Sequence, residues 1–275
     1  MSEQDDRTTP FYVGYLPMPA ALKRFNRLAV AVLLVAAGTL AFLVSAGMRV
    51  AGTGQWDLSA PVTLEGRLVA APYPHLKLAG VEPRTVLLVG VGKIGVQAWA
   101  APHDGTSVRV TGFEIARGPW RILELENAEA IQPAAIPVVL ADGAPEPVGP
   151  VALQGEIIDS KCFLGVMKPG EGRVHKACAT VCLLGGMPPM FMVRNARGQR
   201  AAYLMTDPDG GPLRRELAAY VADPVALAGT VERRGDILVL KTDPASIRRL
   251  QGEELVAFGP TVRADSSPVI CTLPG

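Results

Sequence analysis

The chain has 275 residues, of which 49% are hydrophobic, and its 27 basic and 26 acidic side chains leave a formal net charge of +1. This length has room for two modest domains, and a near-neutral charge does not favour nucleic acid as a partner. Aromatic residues make up only 5% of the chain, which is few for stacking bases. We therefore expect a protein that does not bind nucleic acid.

The N-terminal region predicts a membrane anchor. Residues 1–27 are polar and end in a basic cluster at residues 23–27, and residues 28–48 then run without a charge for about the length of a bilayer core. Because positive charge is heavier before the apolar run, we expect residues 1–27 to be a cytoplasmic tail and the rest to be periplasmic, in a bacterial inner membrane. A cleaved signal peptide, with its cleavage site at residues 44–46, is the alternative, although the apolar run is longer than is usual for one.

The rest of the chain predicts two similar β-rich units. From residue 51 the sequence changes to short β-type segments separated by Gly and Pro. The order of segments in residues 58–132 recurs in residues 151–250, after a linker at residues 133–150 that is rich in Pro and Ala, and this indicates an internal duplication. Residues 251–275 form a C-terminal tail.

Each unit resembles the OB-fold, a five-stranded Greek-key barrel, because it begins with a long strand that carries a Gly, as in LEGRL and LQGEI. In the second unit LRRELAAYVA, which follows Pro212, predicts a helix before the last hairpin. We therefore predict a mainly β protein with one N-terminal transmembrane helix followed by two tandem OB-like barrels. A generic small barrel or sandwich is the alternative.

Three cysteines and one histidine lie in DSKCFLGVMKPGEGRVHKACATVCLLGGMPP, which starts at Asp159. The part from residue 173 to residue 186 predicts a short helix that ends at two glycines. On it His175, Cys178 and Cys182 are spaced i, i+3 and i+7, in one stripe. Cys162 lies across a loop long enough to fold back, so the four side chains suit a closed tetrahedral site for a transition metal such as zinc.

A disulfide is the competing interpretation. Cys178 and Cys182 lie four apart on a helix, where a bridge between them would be strained, whereas Cys162 pairs with either more easily. With Cys271, the remaining cysteine, two bridges would use all four thiols and leave no cofactor. A redox-active thiol is the third possibility. The nearby positive charges lower thiol pKa values and so help metal binding and redox reactivity equally; they lie on Lys161, Lys168, Arg173 and Lys176.

One apparent motif is dismissed. Gly90, Gly92 and Gly95 spell the GxGxxG of dinucleotide-binding folds, but only VQAWAA follows before Pro102. Such a fold needs a full helix to start at the glycines. We therefore predict a hairpin turn at this position.

The segment from Asp159 to Pro189 resembles one found in uncharacterised membrane-anchored bacterial proteins, in which D-S-K-C is followed by a histidine, C-A-x-x-C and G-G-x-P-P. The resemblance covers this segment and the barrel-like unit around it, and it implies Cys162, His175, Cys178 and Cys182 as the functional set.

Three functions remain open at this point. The first is a periplasmic binding or accessory module whose Cys/His loop binds a metal or docks a periplasmic or membrane redox protein. The second is a thiol- or metal-dependent redox enzyme. The third is a disulfide-stapled scaffold subunit of a membrane complex.

Overall fold

A computed structural model describes residues 18–47, 54–80, 84–140, 143–194 and 200–257. The chain divides into two units, residues 1–51 and residues 52–275. In the first, helix α1 (Ala20–Gly47) is long and apolar enough to cross a membrane over Ala20–Ala46, and its large apolar side chains are exposed. The helix includes the basic cluster, so it begins before the apolar run. Residues 1–17 and Met48 of the predicted tail and anchor lie outside the described residues.

The elements of the first barrel are β1 (Gln55–Trp56), β2 (Val62–Val69), β3 (His75–Leu78), β4 (Arg84–Gly90), α2 (Gln97–Ala100), β5 (Ser107–Arg117), β6 (Trp120–Leu125) and β7 (Ile131–Pro133). The barrel closes from five strands in the order β2-β3-β4-β6-β5, with β5 pairing back to β2. All these pairs are antiparallel except β4 with β6. Two short strands, β1 and β7, pair with β5, and the four-residue helix α2 follows β4.

The elements of the second barrel are β8 (Glu146–Asp159), α3 (Lys176–Leu184), β9 (Pro189–Arg194), β10 (Arg200–Thr206), β11 (Pro224–Arg234), β12 (Ile237–Lys241), β13 (Arg248–Arg249) and α4 (Gly252–Ala257). This barrel closes in the same way, in the order β8-β9-β10-β12-β11, with β11 pairing back to β8. Among these five pairs only β10–β12 is parallel. Five strands with a parallel pair between the third and the fifth are the arrangement expected of an OB-fold. The predicted fold class, a mainly β chain with an N-terminal apolar helix and two small barrels, is confirmed.

Two local predictions differ from the structure. Strand β8 begins at Glu146, inside the segment that the sequence assigns to the linker, because Glu146 already pairs with Arg233 of β11. The helix predicted after Pro212 is instead a 3-10 turn at Arg215–Leu217 followed by further turns. Its apolar residues are buried at helical spacing, but Ala222 has a φ of 59°, which ends any right-handed helix there.

The two barrels share one apolar cluster, and this cluster positions the candidate site. It joins residues of the first barrel such as Tyr73 and Ile122 to residues of the second such as Ile158 and Val239. The Tyr73 hydroxyl donates to the Met205 carbonyl at 3.0 Å, so a polar contact also crosses the interface. Cys162 and Cys182 belong to the same cluster. The thiols therefore lie where the two barrels meet.

Candidate metal centre

Cys162 is fixed by the end of strand β8. The strand ends at Asp159, and one helical turn later the Cys162 amide donates to the Asp159 carboxylate, with 2.9 Å between N and Oδ1. This hydrogen bond satisfies one of the free amides at the start of the turn, as an N-cap side chain does. Both side chains are buried. The DSKC sequence thus fixes Cys162 directly after the end of β8.

Cys178 and Cys182 are presented by helix α3. Gly172, with a φ of +79°, precedes a 3-10 turn at Arg173–His175 that runs into α3. The helix ends at Leu184, and Gly186 has a φ of +101°, as expected of a glycine C-cap. The predicted short helix is present, and its two cysteines lie one turn apart on one face.

The three sulfurs converge. All three lie within 4.8 Å of one another, and the Cys162 and Cys178 sulfurs are 3.9 Å apart. A tetrahedral ion with metal–sulfur bonds of about 2.3 Å holds its sulfurs about 3.8 Å apart, so this spacing fits a thiolate metal site. Cys162 and Cys182 are buried, whereas Cys178 is half-buried.

The alternative disulfide set is not formed among the described residues. Cys162, Cys178 and Cys182 are free thiols. Cys271, the fourth member of that set, lies outside the described residues. A disulfide between Cys162 and Cys178 would require their sulfurs to move from 3.9 Å apart, a separation that suits a metal, to about 2.05 Å.

His175 lies beside the thiols but has another partner. Its Nε2 atom is 3.0 Å from the Asp159 Oδ2 atom, and both side chains are almost fully buried. His175, Asp159 and Cys162 can bring one ligand atom each to within 4.8 Å of one another. The structure therefore places His175 on the Cys162 side of the site. Asp159, which sequence reasoning passed over, orients both Cys162 and His175.

A lysine from the first barrel completes the site. The Lys93 ammonium is 2.7 Å from the Cys178 sulfur and 3.4 Å from the Cys182 sulfur, although 85 or more residues separate them in the chain. Lys93 lies in the glycine loop, which we define as residues 90–95. That loop packs on the end of α3, where the Gly95 amide donates to the Gly185 carbonyl at 2.7 Å.

The glycines explain this close approach. A Cβ on Gly95 would overlap the Gly186 carbonyl, and one on Gly185 would overlap the Lys93 carbonyl. Only the four-residue helix α2 follows the loop, which agrees with the dismissal of a dinucleotide site. The sequence feature behind the position of Lys93 is therefore the glycines of GVGKIG and LLGG, which let the two backbones touch.

The lysine nearest to Cys162 in sequence has a different role from the one predicted. The Lys161 ammonium donates to the Gly90 and Gly92 carbonyls at 2.8 Å each and forms a buried ion pair with Glu124. The Lys176 ammonium forms an ion pair with the Asp223 carboxylate. The positive charge beside the thiols comes from Lys93, and Lys161 holds the loop that carries it.

The thiols differ in their acidity. The pKa of Cys182 is lowered to about 7, because the Cys162 thiol stabilises its thiolate by hydrogen bonding and Lys93 adds its charge, against the effect of burial. The same hydrogen bond, together with burial and the charge of Asp159, raises the pKa of Cys162. Burial lowers the pKa of Lys93, but its contacts with the two sulfurs raise it by more. The contact with Lys93 thus favours a Cys182 thiolate paired with an ammonium.

No family model, curated protein or solved structure matches the chain. The candidate site consequently rests on its own geometry: three convergent sulfurs, a neighbouring His–Asp pair and one lysine.

Proposed function

We propose that this protein is a membrane-tethered metal-binding module that holds a thiophilic ion such as zinc on Cys162, Cys178 and Cys182. The observation that carries this proposal is the convergence of three free thiols within 4.8 Å. Thiolates favour zinc and copper(I) over hard cations such as magnesium and calcium. Three protein ligands leave one tetrahedral position for a further ligand.

The residues around the three thiols also favour a metal site. Asp159 and His175 form a hydrogen-bonded pair next to Cys162, which is typical of the groups that orient metal ligands. The Lys93 ammonium would offset the charge of three thiolates around a divalent ion. Two of the thiols are buried against apolar side chains, so water has limited access to them.

The membrane location belongs to this proposal. Helix α1 has the length and composition of a membrane span, and the basic cluster lies at its N-terminal end. We infer that this end faces the cytoplasm and that the barrels lie in the periplasm, anchored to the inner membrane. A redox or metal-handling protein in the same compartment would be the partner.

The test is metal binding by the full-length protein in detergent. We expect close to one zinc ion per chain, and the variant Cys182→Ala should lose at least about 100-fold in zinc affinity because it removes a ligand. Thr180→Ala, between the two cysteines on the same helix, is the matched control and should bind as the wild type does. Full retention of zinc by Cys182→Ala would contradict the proposal.

A second function has one specific observation in its favour. The 3.9 Å between the Cys162 and Cys178 sulfurs, with an acidic Cys182 beside them, also suits thiol–disulfide exchange. In that reaction two thiols of this chain would form a disulfide with each other and give two electrons and two protons to a partner disulfide, whose S–S bond breaks to give two thiols. Wild-type protein that binds no zinc but exchanges rapidly with a small disulfide would favour this function.

A further inference from the structure

Lys93 contacts sulfur atoms and not a carboxylate. Its Nζ atom is 2.7 Å from the Cys178 sulfur and 3.4 Å from both the Cys182 sulfur and the Cys178 carbonyl oxygen. Among the residues that the structure describes, these are its polar partners. By contrast, the lysines nearest to the cysteines in sequence, Lys161 and Lys176, each form an ion pair with a carboxylate. Lys93 is thus the lysine whose amine is placed directly against thiols.

The backbone around Lys93 holds its amine in this place. On one side, the carbonyls of Gly90 and Gly92 accept hydrogen bonds from a buried lysine at 2.8 Å each. On the other side, the Gly95 amide donates to the Gly185 carbonyl at 2.7 Å. Two groups that are held together in this way react as an intramolecular pair, at an effective concentration far above that of free reactants. The nitrogen and the sulfur are therefore positioned for a link through one atom between them.

Cys178 is the thiol that a small oxidant can reach. Cys162 and Cys182 are only 4% and 1% exposed, whereas Cys178 is half-buried, and Lys93 is exposed beside it. Accessible thiols are the ones that peroxide oxidises to sulfenic acid. An oxygen atom added to the Cys178 sulfur would lie next to the Lys93 nitrogen, since 2.7 Å separates sulfur and nitrogen. The Cys162 sulfur is farther from Cys178, at 3.9 Å.

We propose that Cys178 and Lys93 form a reversible covalent bridge, in which one oxygen atom links the sulfur to the nitrogen, when hydrogen peroxide reaches the metal-free site. This modification does not depend on the proposed metal function. It requires two molecules of peroxide, and Lys93 reacts as the free amine, its extra proton going to water.

The two steps of the reaction balance. In the first, a sulfur–oxygen bond forms, the O–O bond of one peroxide breaks, and the thiol becomes a sulfenic acid while one water leaves. In the second, the nitrogen–oxygen bond forms as the sulfenic O–H bond and one amine N–H bond break. The second peroxide takes up those two electrons and two protons, its O–O bond breaks, and two waters leave. Two molecules of dithiothreitol reverse the bridge by supplying four electrons and four protons, which restore the thiol and the amine and release one water.

Peptide mass mapping of the full-length, metal-free protein in detergent tests the bridge. After treatment with hydrogen peroxide, the peptides that contain Lys93 and Cys178 should appear joined, with the sum of their masses plus one oxygen and minus two hydrogens. Dithiothreitol should return both peptides to their original masses. A disulfide between Cys162 and Cys178, or a sulfinic acid on Cys178, with Lys93 unmodified would overturn the proposal.

A substitution and a fragmentation spectrum test which atoms form the link. Lys93→Arg keeps the positive charge but offers no primary amine, so the yield of joined peptides should fall at least about tenfold. Lys168→Arg, at an exposed lysine between Cys162 and α3, is the matched control and should leave the yield unchanged. An equal yield in Lys93→Arg and in the wild type would overturn the role of the amine. Fragmentation of the joined peptides should place the link on Cys178, and a link on Cys182 would overturn that assignment.

The consequence for metal binding rests on the proposed function. Because the bridge uses one of the three thiols, the oxidised protein should lose at least about 100-fold in zinc affinity and regain it after reduction. A bridge that forms and reverses without changing the zinc affinity would contradict the three-thiol metal site and leave the modification established. Normal zinc binding without joined peptides after peroxide treatment would overturn the bridge and leave the metal function standing.

Discussion

Lys93 places a positive charge against the two helix thiols, because its ammonium lies within 3.4 Å of both sulfurs. A cation at this distance stabilises a thiolate more than a thiol, so it favours deprotonation near neutral pH. The effect is moderated by the exposure of the lysine to solvent. Lys93 is therefore a residue that sets the charge of the site without itself being a metal ligand.

Replacing Lys93 by glutamine should make the Cys182 thiol less acidic. We expect the midpoint of its alkylation by iodoacetamide, followed residue by residue against pH in the metal-free protein, to rise by about one pH unit, or about 1.4 kcal/mol. Lys168→Gln, an exposed lysine in the cysteine loop, is the control with the same change of charge. An equal shift in both variants would mean that net charge, and not the contact, controls the thiol.

Glu156 gives a pH dependence to stability. Burial raises its pKa from 4.5 to about 7, although the Gly172 amide, which donates to its carboxylate, opposes the shift. The pKa of Glu156 is higher in the folded state than in the unfolded state. Its contribution to the free energy of unfolding is therefore greatest below about pH 4.5 and is lost as the pH rises to 7. The loss amounts to about 3 kcal/mol at most.

The variant Glu156→Gln removes this ionisation and keeps an oxygen for the Gly172 amide. Its melting temperature should exceed that of the wild type by several degrees at pH 8, where the wild-type carboxylate is charged, and the difference should vanish at pH 5. Thermal unfolding followed at both pH values checks this. A difference that is the same at pH 5 and pH 8 would show that Glu156 does not titrate in this range.

At the scale of elements, the contact between the glycine loop and the end of α3 decides where Lys93 lies. Gly95→Ala adds a Cβ against the Gly186 carbonyl, so the loop has to move away from the helix. We expect a loss of about 1–3 kcal/mol in the free energy of unfolding, as for other overpacked contacts. The alkylation midpoint of Cys182 should also rise, as it does in Lys93→Gln.

The control for this substitution is Gly143→Ala, since nothing lies within 4 Å of a Cβ built there. It should leave both measurements unchanged. If Gly95→Ala lowered the stability but did not move the alkylation midpoint, the loop would support the fold without positioning the lysine.

Local sequence patterns predicted the elements well and the site only in part. The apolar helix, the order of strands and the helix that carries Cys178 all follow from periodicity and from Gly and Pro positions over short windows. The prediction of a helix after Pro212 was wrong. Successive turns can bury apolar residues at the same spacing as a helix, and here the turns lead into a positive φ at Ala222. Lys93 was missed because its partner thiols lie in the other barrel, and no local pattern encodes that contact.

At the scale of the whole molecule, the site needs both barrels. The second barrel supplies the thiols, and the first supplies the loop with Lys93. The buried ion pair between Lys161 and Glu124 connects them, and the Trp56 indole also donates to Glu124 at 3.1 Å. Since Lys161 holds the carbonyls of Gly90 and Gly92 as well, this pair couples barrel association to the geometry at the sulfurs.

Glu124→Gln should therefore destabilise the protein strongly, because it leaves a buried ammonium without its counter-charge, at a cost of about 3–5 kcal/mol. The control is Glu65→Gln in the same barrel, which breaks an exposed pair with Arg109 and should cost less than about 1 kcal/mol. Adding Lys161→Met to Glu124→Gln should recover much of the loss, since no unpaired charge remains. Thermal unfolding of the wild type, of Glu124→Gln, of Lys161→Met and of the double variant gives the coupling energy of the pair. Equal losses in Glu124→Gln and Glu65→Gln would show that the buried pair does not hold the barrels together. The alkylation midpoint of Cys182 in the metal-free protein is the second measurement. A rise in this midpoint in Glu124→Gln, but not in Glu65→Gln, would place the origin of the thiol's acidity in the association of the two barrels.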